Sequence, residues 1–396
     1  MTETTAQTIA SVVDKHDAEL VGLRRDLHRH PELSWAEHRT TEVVAGLLEA
    51  AGWRVTRTPG TGLVAELGSG ARVVALRADM DALPVQDVSG EPWASEVAGL
   101  AHACGHDVHV AALVGAAQAL SQVVEQHPLD GRVRLLLQPA EEVMPGGALH
   151  LIAQGVLDDV EQIFALHCDP AIDVGRIGLR TGSLTSAADR IEVRLSGTGG
   201  HTSRPHLTGD LTFALAKVTT ELPAVLSRRM DPRAGVSVVW GIIQAGSAAN
   251  VIPDRGLAAG TVRILDAVAW HECEQIVRDA VHDLVRPYGV TATVDYQRGV
   301  PPVVNDAGAI AVLATAVLDG LGPEAQVGVL QSLGGEDFGW YLDTVPGAMF
   351  RLGTRVRGGP TYELHQGNLR VDERAIGIGA RILAGAAVAA LGVAGR

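Results

Sequence analysis

Apolar positions near the start of the chain recur with helical spacing. They predict a helix over 7–29, stopped by Pro31, and a second over 36–51 that ends at Gly52. Short continuous apolar runs bounded by turn residues follow: RVVALRAD at 72–79, RVRLLLQP at 132–139 and EQIFALH at 161–167. Each reads as a buried strand. Between the first two, VHVAALVGAAQALSQVV at 108–124 has the length of a crossover helix. This alternation predicts an α/β domain, a mainly parallel sheet covered by helices.

From Arg190 the pattern changes. Strand-like runs at 190–197, 235–243, 256–265 and 290–296 are interleaved with helical patterns over about 209–228 and about 269–286. The order is β-α-β-β-α-β, the split ferredoxin-like α+β unit. TGSLTSA at 181–187 and RGVPPVV at 298–304 flank it like two crossings of a hinge. The expected organisation is a catalytic domain over 1–185 and 299–396, with a lid and dimerisation domain inserted at 186–298.

The chain has 396 residues and is 46% hydrophobic, enough to bury a sizeable core. Its net charge of −14, with no basic cluster on any predicted element, argues against nucleic acid or an anionic membrane as partner. The stretch 375–394 is Ala/Gly-rich and carries Arg381, which reads as a packed helix rather than a membrane span. The polar, helix-patterned start lacks the features of a secretory leader. Cys104, Cys168 and Cys273 are too few and scattered for a disulfide framework, so a cytoplasmic protein is expected.

Candidate chemistry gathers where the strands end. Asp79 and Asp81 follow the first strand, Glu141 and Glu142 the second, and His167 ends the third. HACGHD at 102–107 places Cys104 and His106 just before the crossover helix. Open parallel sheets bind ligands outside the carboxyl ends of their strands. A thiolate, imidazoles and carboxylates converging there are costly to bury unless cations neutralise them. Such donors suit Zn, with Mn or Co admitted by the oxygens. There are more donors than one tetrahedral ion requires. This favours two divalent ions about 3.5–4 Å apart, bridged by Cys104 and a water. Of the adjacent glutamates, one can bind metal while the other takes the water's proton, since successive side chains of an extended segment point in different directions.

Eight segments occur in order along nearly the whole chain: LRRDLHRHPELS (23–34), RADMDALPV (77–85), HACGHDVH (102–109), QPAEE (138–142), GGHTSRPH (199–206), ANVIPD (249–254), GTVR (260–263) and GGEDF (334–338). Together they resemble the metallopeptidase-related amidohydrolase family of bacterial aminoacylases, hippurate hydrolases and plant auxin-conjugate hydrolases. The resemblance implies a zinc-peptidase-like catalytic domain with an inserted lid. It also implies two divalent ions, Zn or Mn with Co or Ni possible, held by Cys104, His106, Glu142, His167 and His365. Glu141 would be the general base, and His201 would polarise the scissile carbonyl from the same chain or from a partner. Asn250 and Arg263 would hold the substrate carboxylate.

Two departures mark the match. Relatives in the wider superfamily have a histidine ligand where this chain has Asp79, so Asp79 and Asp81 are expected to orient imidazoles instead. His109 is expected to support the ligands or the core. The segment LHQGNLRVDE after His365 lacks the proline and aromatic usual there. The implied activity is hydrolysis of N-acyl amino acids to a carboxylic acid and a free amino acid, by a homodimer or higher homo-oligomer formed through the lid. A dipeptidase, carboxypeptidase or carbamoyl-amide hydrolase on the same scaffold is the alternative. A non-catalytic small-molecule or metal binder fits less well, because it has no use for Glu141 beside Glu142.

Overall fold

The structure, a computed structural model, describes residues 4–393 and falls into two compact units. The first comprises Met1–Gly182, Asn305–Leu330 and Trp340–Arg396. Its eight-stranded sheet runs in the order Arg54–Arg57, Leu63–Ser69, Gly131–Gln138, Val73–Asp79, Val160–Asp173, Gly347–Arg355, Ile177–Leu179, Gln326–Gly328. The central pairings of Val73–Asp79 with Gly131–Gln138 and Val160–Asp173, and of the latter with Gly347–Arg355, are parallel, while Arg54–Arg57 and Leu63–Ser69 form an antiparallel edge. The fold is therefore α/β with a mixed, mainly parallel sheet, as the alternating pattern predicts.

Two details differ from the sequence reading. The edge hairpin was not anticipated: its second strand alternates buried and half-buried positions instead of forming one apolar run. The strand at 161–167 also does not end at His167. It continues to Asp173, because Gly347–Arg355 keeps pairing with it beyond that point, opposing Leu352 to Cys168 and Arg355 to Asp173. His167 thus projects from mid-strand.

Three helices, Thr5–Arg29, His106–Gln126 and Arg374–Leu391, pack together on the sheet. His106–Gln126 and Arg374–Leu391 have the length and apolarity of a membrane span, yet 78% and 61% of their most apolar windows are buried inside the protein, which accounts for their composition. The predicted packed helix over 375–394 corresponds to the second of these, which ends three residues sooner at Leu391 with Gly392 as its cap; residue 394 lies outside the described residues. Small residues allow the close approach. A Cβ on Gly115 would lie 2.7 Å from Leu20 Cδ1 and 3.0 Å from Ala380 Cβ.

The second unit comprises Ser183–Val304 and Gln331–Gly339. Its sheet is antiparallel throughout, in the order Ser237–Ala245, Arg255–Ile264, Ala187–Ser196, Thr291–Val300. The helices Leu211–Arg229 and Ala267–Val285 begin at Asp210 and Asp266, whose carboxylates accept the Phe213 and Ala269 N–H groups. The order of elements along the chain is the predicted β-α-β-β-α-β. Asp189, buried on the first strand, accepts hydrogen bonds from the Trp270 indole (2.9 Å), the Tyr296 hydroxyl (2.7 Å) and the Gly299 N–H (3.0 Å). One carboxylate thereby ties a helix to the strands that enter and leave the unit.

Gly115→Leu should overpack the three-helix contact and cost about 1–3 kcal/mol. Urea unfolding should show a lower midpoint with an unchanged slope.

Candidate metal centre

Cys104 lies in the segment that leads into the helix His106–Gln126, and Gly105 makes the turn at φ +90°. A side chain there would be strained and would also meet the Cys168 thiol at 2.9 Å, so glycine is required between the two donors. His106 is the first helical residue. Its Nδ1–H donates to the Asp81 carbonyl at 2.9 Å, which leaves the Nε2 lone pair pointing away. His167 is oriented the same way: Nδ1–H donates to the Cys168 carbonyl (2.8 Å), and Nε2 comes within 3.6 Å of Cys104 Sγ.

Two donor sets meet at Cys104. One is Cys104, His106 and His167, all buried; the other is Cys104, Glu142 and His365. Within each set the ligand atoms lie within 4.8 Å of one another, and the thiol belongs to both. The residues fit a pair of divalent ions on an observation independent of any resemblance. His106 Nε2 and Glu142 Oε1 are sealed from water without a hydrogen-bond partner. Glu142 Oε1 approaches His365 Nε2 at 3.4 Å and His106 Nε2 at 3.9 Å, but neither contact is a hydrogen bond. Orphaned donor atoms of this kind are expensive in a protein interior and are relieved by a cation.

The electrostatics agree with this. Burial raises the Cys104 thiol well above its usual range, with the Glu142 charge adding to it. Burial also raises Glu142. Burial opposes the charging of His106, but Asp79 and Cys104 override it and lift the imidazole well above its ordinary value. His167 is pushed well below its own by burial and then by the Arg351 guanidinium. A thiol of this kind becomes a ligand only by losing its proton as the metal arrives.

A ring of fixed side chains holds the donors. Asp79, the last residue of its strand, receives the His109 Nδ1–H at 2.5 Å, and His109 Nε2 accepts the Cys168 backbone N–H at 2.9 Å, beside His167. Asp79 is itself ion-paired with Arg77, whose Nε donates to Gln138. Although burial alone would raise it, the Arg77, His106 and His109 charges hold Asp79 well below the carboxylate range. Asp81 accepts the Glu142 N–H (2.9 Å) and the Ser34 hydroxyl (2.7 Å).

Glu141 and Glu142 do not lie in an extended segment, as the sequence reading had assumed. They follow Ala140 at φ +55° in a bend, and both reach His106 Nε2 at about the same range, 4.0 Å for Glu141 and 3.9 Å for Glu142. The bend is held by Glu37, whose carboxylate accepts the Ala140 N–H at 2.7 Å. Nothing in the sequence marks Glu37, which falls inside the helix predicted over 36–51; in the structure it precedes the helix His38–Ala50. His365, half-exposed and at φ +64°, is drawn in by its N–H bond to the Ala103 carbonyl (2.7 Å).

In the second unit, His201 and Asn250 are neighbours. His201 pairs with Val251 across a two-residue ladder, and Thr202 N–H donates to the Asn250 carbonyl. His201 is exposed. Arg263 stands opposite Ser237 and Ala188, eight residues along the strand from Arg255, about 26 Å of extended chain. It is not brought to the end of the sheet that leads to His201.

The first unit is an α/β fold with a mixed, mainly parallel sheet, and it carries two candidate metal-donor groups that share one thiol. The chain belongs to Peptidase family M20/M25/M40, whose model matches residues 75–389, and the resemblance carried by the eight motifs is borne out. A protein of Rhodococcus jostii (strain RHA1) named "Putative glutamate--cysteine ligase 2-3" is 47% identical over 383 residues, covering 96% of this chain. The chain spans about half, 48%, of that relative's length. The N-acetyl-L-cysteine deacetylase of Bacillus subtilis is 36% identical over 366 residues, 91% of this chain and 85% of that one. A crystal structure described as a dinuclear metal binding peptidase of the M20 family, also from Bacillus subtilis, superposes with a TM-score of 0.83 at 33% identity, covering 96% of this chain and 99% of the other.

Behind His106, Asp107 is buried against Arg24 (2.8 Å) and His28 (2.7 Å). The Arg24 Nε contact is ionic only, since it is misaligned for a hydrogen bond. Burial opposes ionisation of Asp107, but the Arg24 guanidinium and then the His28 contact hold its carboxyl far below the usual range. Arg24→Met should therefore cost about 3–5 kcal/mol by removing one of the two partners of the buried carboxylate. Because the folded carboxyl titrates below its unfolded value, its contribution is complete above about pH 4 and fades as the pH falls further. Chemical unfolding of both proteins across that range checks the sign.

Proposed function

We propose that this chain is a metal-dependent amidohydrolase that cleaves N-acyl amino acids, or similar small amide conjugates, to a carboxylic acid and a free amino acid. The observation that carries the reading is the pair of donor sets sharing Cys104, with His106 Nε2 and Glu142 Oε1 buried there without a hydrogen-bond partner. In this reading Cys104, His106 and His167 hold one divalent ion, and Cys104, Glu142 and His365 the other. A Cys/His/carboxylate set suits Zn, with Mn, Co or Ni also admissible. Bound ions would polarise the amide carbonyl and acidify water. Relatives named as N-acetylcysteine deacetylase, IAA-amino acid hydrolase and amidohydrolase support this substrate class.

Glu141 serves as the base. It takes a proton from the attacking water and returns it to the departing amine. His201 stabilises the developing oxyanion, and Asn250 and Arg263 hold the substrate's carboxylate. In one chain Arg263 stands apart from His201 and Asn250 along the lid sheet. A joint role for the three is most simply met in a homodimer joined through the second unit, each chain completing the other's site. Asp79 and Asp81 orient imidazoles, Asp81 directly on His106 and Asp79 through His109. Three buried free cysteines suit a reducing compartment such as the cytoplasm.

Glu141→Gln should retain both ions by elemental analysis while turnover falls about 10²- to 10⁴-fold. Chelation should abolish activity, and Zn or Mn should restore it. N-acetyl and N-benzoyl amino acids should be cleaved in preference to dipeptides and N-carbamoyl amino acids. A preference for dipeptides would move the assignment to a peptidase. Sedimentation showing an active monomer would remove the dimer.

A further inference from the structure

Gly347–Arg355 is a central strand with eight of nine residues buried, and parallel strands covered on both faces read as unbroken apolar runs. GAMFRLGTR departs from this at Arg351. The residue is only 8% exposed, yet among the described residues its guanidinium makes no hydrogen bond and no ion pair. The neighbouring groups are already engaged: Asp173 pairs with Arg355 at 2.7 Å, and Asp169 accepts the Ala171 N–H at 2.9 Å.

The strand register fixes where the cation is rooted. Arg351 stands directly opposite His167 in the parallel ladder, so both side chains leave the same face of the sheet. On its other side it faces Gly178. A Cβ there would meet Arg351 Cβ at 3.0 Å, Val329 Cγ1 at 2.3 Å and Ile172 Cδ1 at 3.1 Å, so a larger residue would collide with the arginine stem and its apolar walls. The charge is close enough to be felt at the His167 imidazole. None of its nitrogens is among the atoms sealed from water, so the head keeps a trace of solvent contact while the stem is enclosed. A buried arginine without a counter-ion weakens the fold, and its planar fork matches a carboxylate.

We propose that Arg351 is a specificity residue of the proposed amidohydrolase site, binding a carboxylate of the amide substrate. The inference rests on the function proposed above. Three positions on such a substrate can carry that group: the α-carbon of the amino acid, where Arg351 would replace Asn250 and Arg263 in the role given them above, its side chain, or the far end of the acyl chain.

Three substrate pairs, each differing by one carboxylate, separate these sources: N-acetylleucine against its amide, N-acetylglutamate against N-acetylglutamine, and N-succinylleucine against N-butyrylleucine. With the metal-loaded full chain, the wild type should favour the charged member of at least one pair. Arg351→Gln should reduce that preference about tenfold or more, through KM rather than kcat, and Arg351→Lys should recover part of it. A preference that survives Arg351→Gln, or no preference in any pair, overturns the proposal while leaving the amidohydrolase reading intact. If no amide is turned over, that reading fails, and thermal unfolding with the same compounds decides on Arg351. The charged member should then raise the wild-type Tm and leave that of Arg351→Gln unmoved; equal shifts overturn the proposal. Without ligand, Arg351→Gln should unfold no earlier than wild type, because no partner is lost. A clear drop would mark Arg351 as structural and also overturn it.

Discussion

The first unit is organised around a deficit. Beside the Cys104 thiol, His106 Nε2 and Glu142 Oε1 are sealed in the interior without a hydrogen-bond partner. Each imidazole is turned inward because its other nitrogen is committed, His106 to the Asp81 carbonyl and His167 to the Cys168 carbonyl. Lone pairs fixed in this way suit a cation, which would relieve the two orphaned atoms at one point.

That arrangement depends on a second tier of buried charge. Arg77, Asp79 and His109 form a continuous line ending on the Cys168 N–H, so the strand position that presents His167 is held from behind. Glu37 does the same for the bend carrying Glu141 and Glu142 by capturing the Ala140 N–H. Asp107, locked by Arg24 and His28, anchors the first turn of the helix that begins with His106. Such groups tolerate burial only because each is paired. Arg351, on the same sheet, has no such pairing.

The second unit has a hub of its own in Asp189, which binds a helix indole, a strand phenol and the backbone of the departing strand. Its sheet separates the residues proposed to act on substrate, with His201 and Asn250 adjacent and Arg263 well along a strand. The match to only half of the Rhodococcus jostii relative's length shows that a chain of this family also occurs within a larger protein.

Local hydrophobic patterning specified the buried strands at 72–79 and 132–139, the crossover helix and the β-α-β-β-α-β order, because apolar runs bounded by turn residues and 3.6-residue repeats are local properties of the chain. Residue chemistry alone marked Cys104, His106 and His167, since soft and hard donors at element ends have no packing reason to be there. His365 was reached only through the resemblance of whole motifs. Its N–H joins Ala103 across more than 260 residues, and no local pattern encodes such a contact. Tertiary structure alone decided the rest. Strand pairing carried Val160–Asp173 past His167, a bend held by Glu37 set both glutamates facing His106, and register placed Arg351 beside His167. Each of these depends on which distant segment lies alongside, which is settled by the packing of the whole unit and not by any stretch of its sequence.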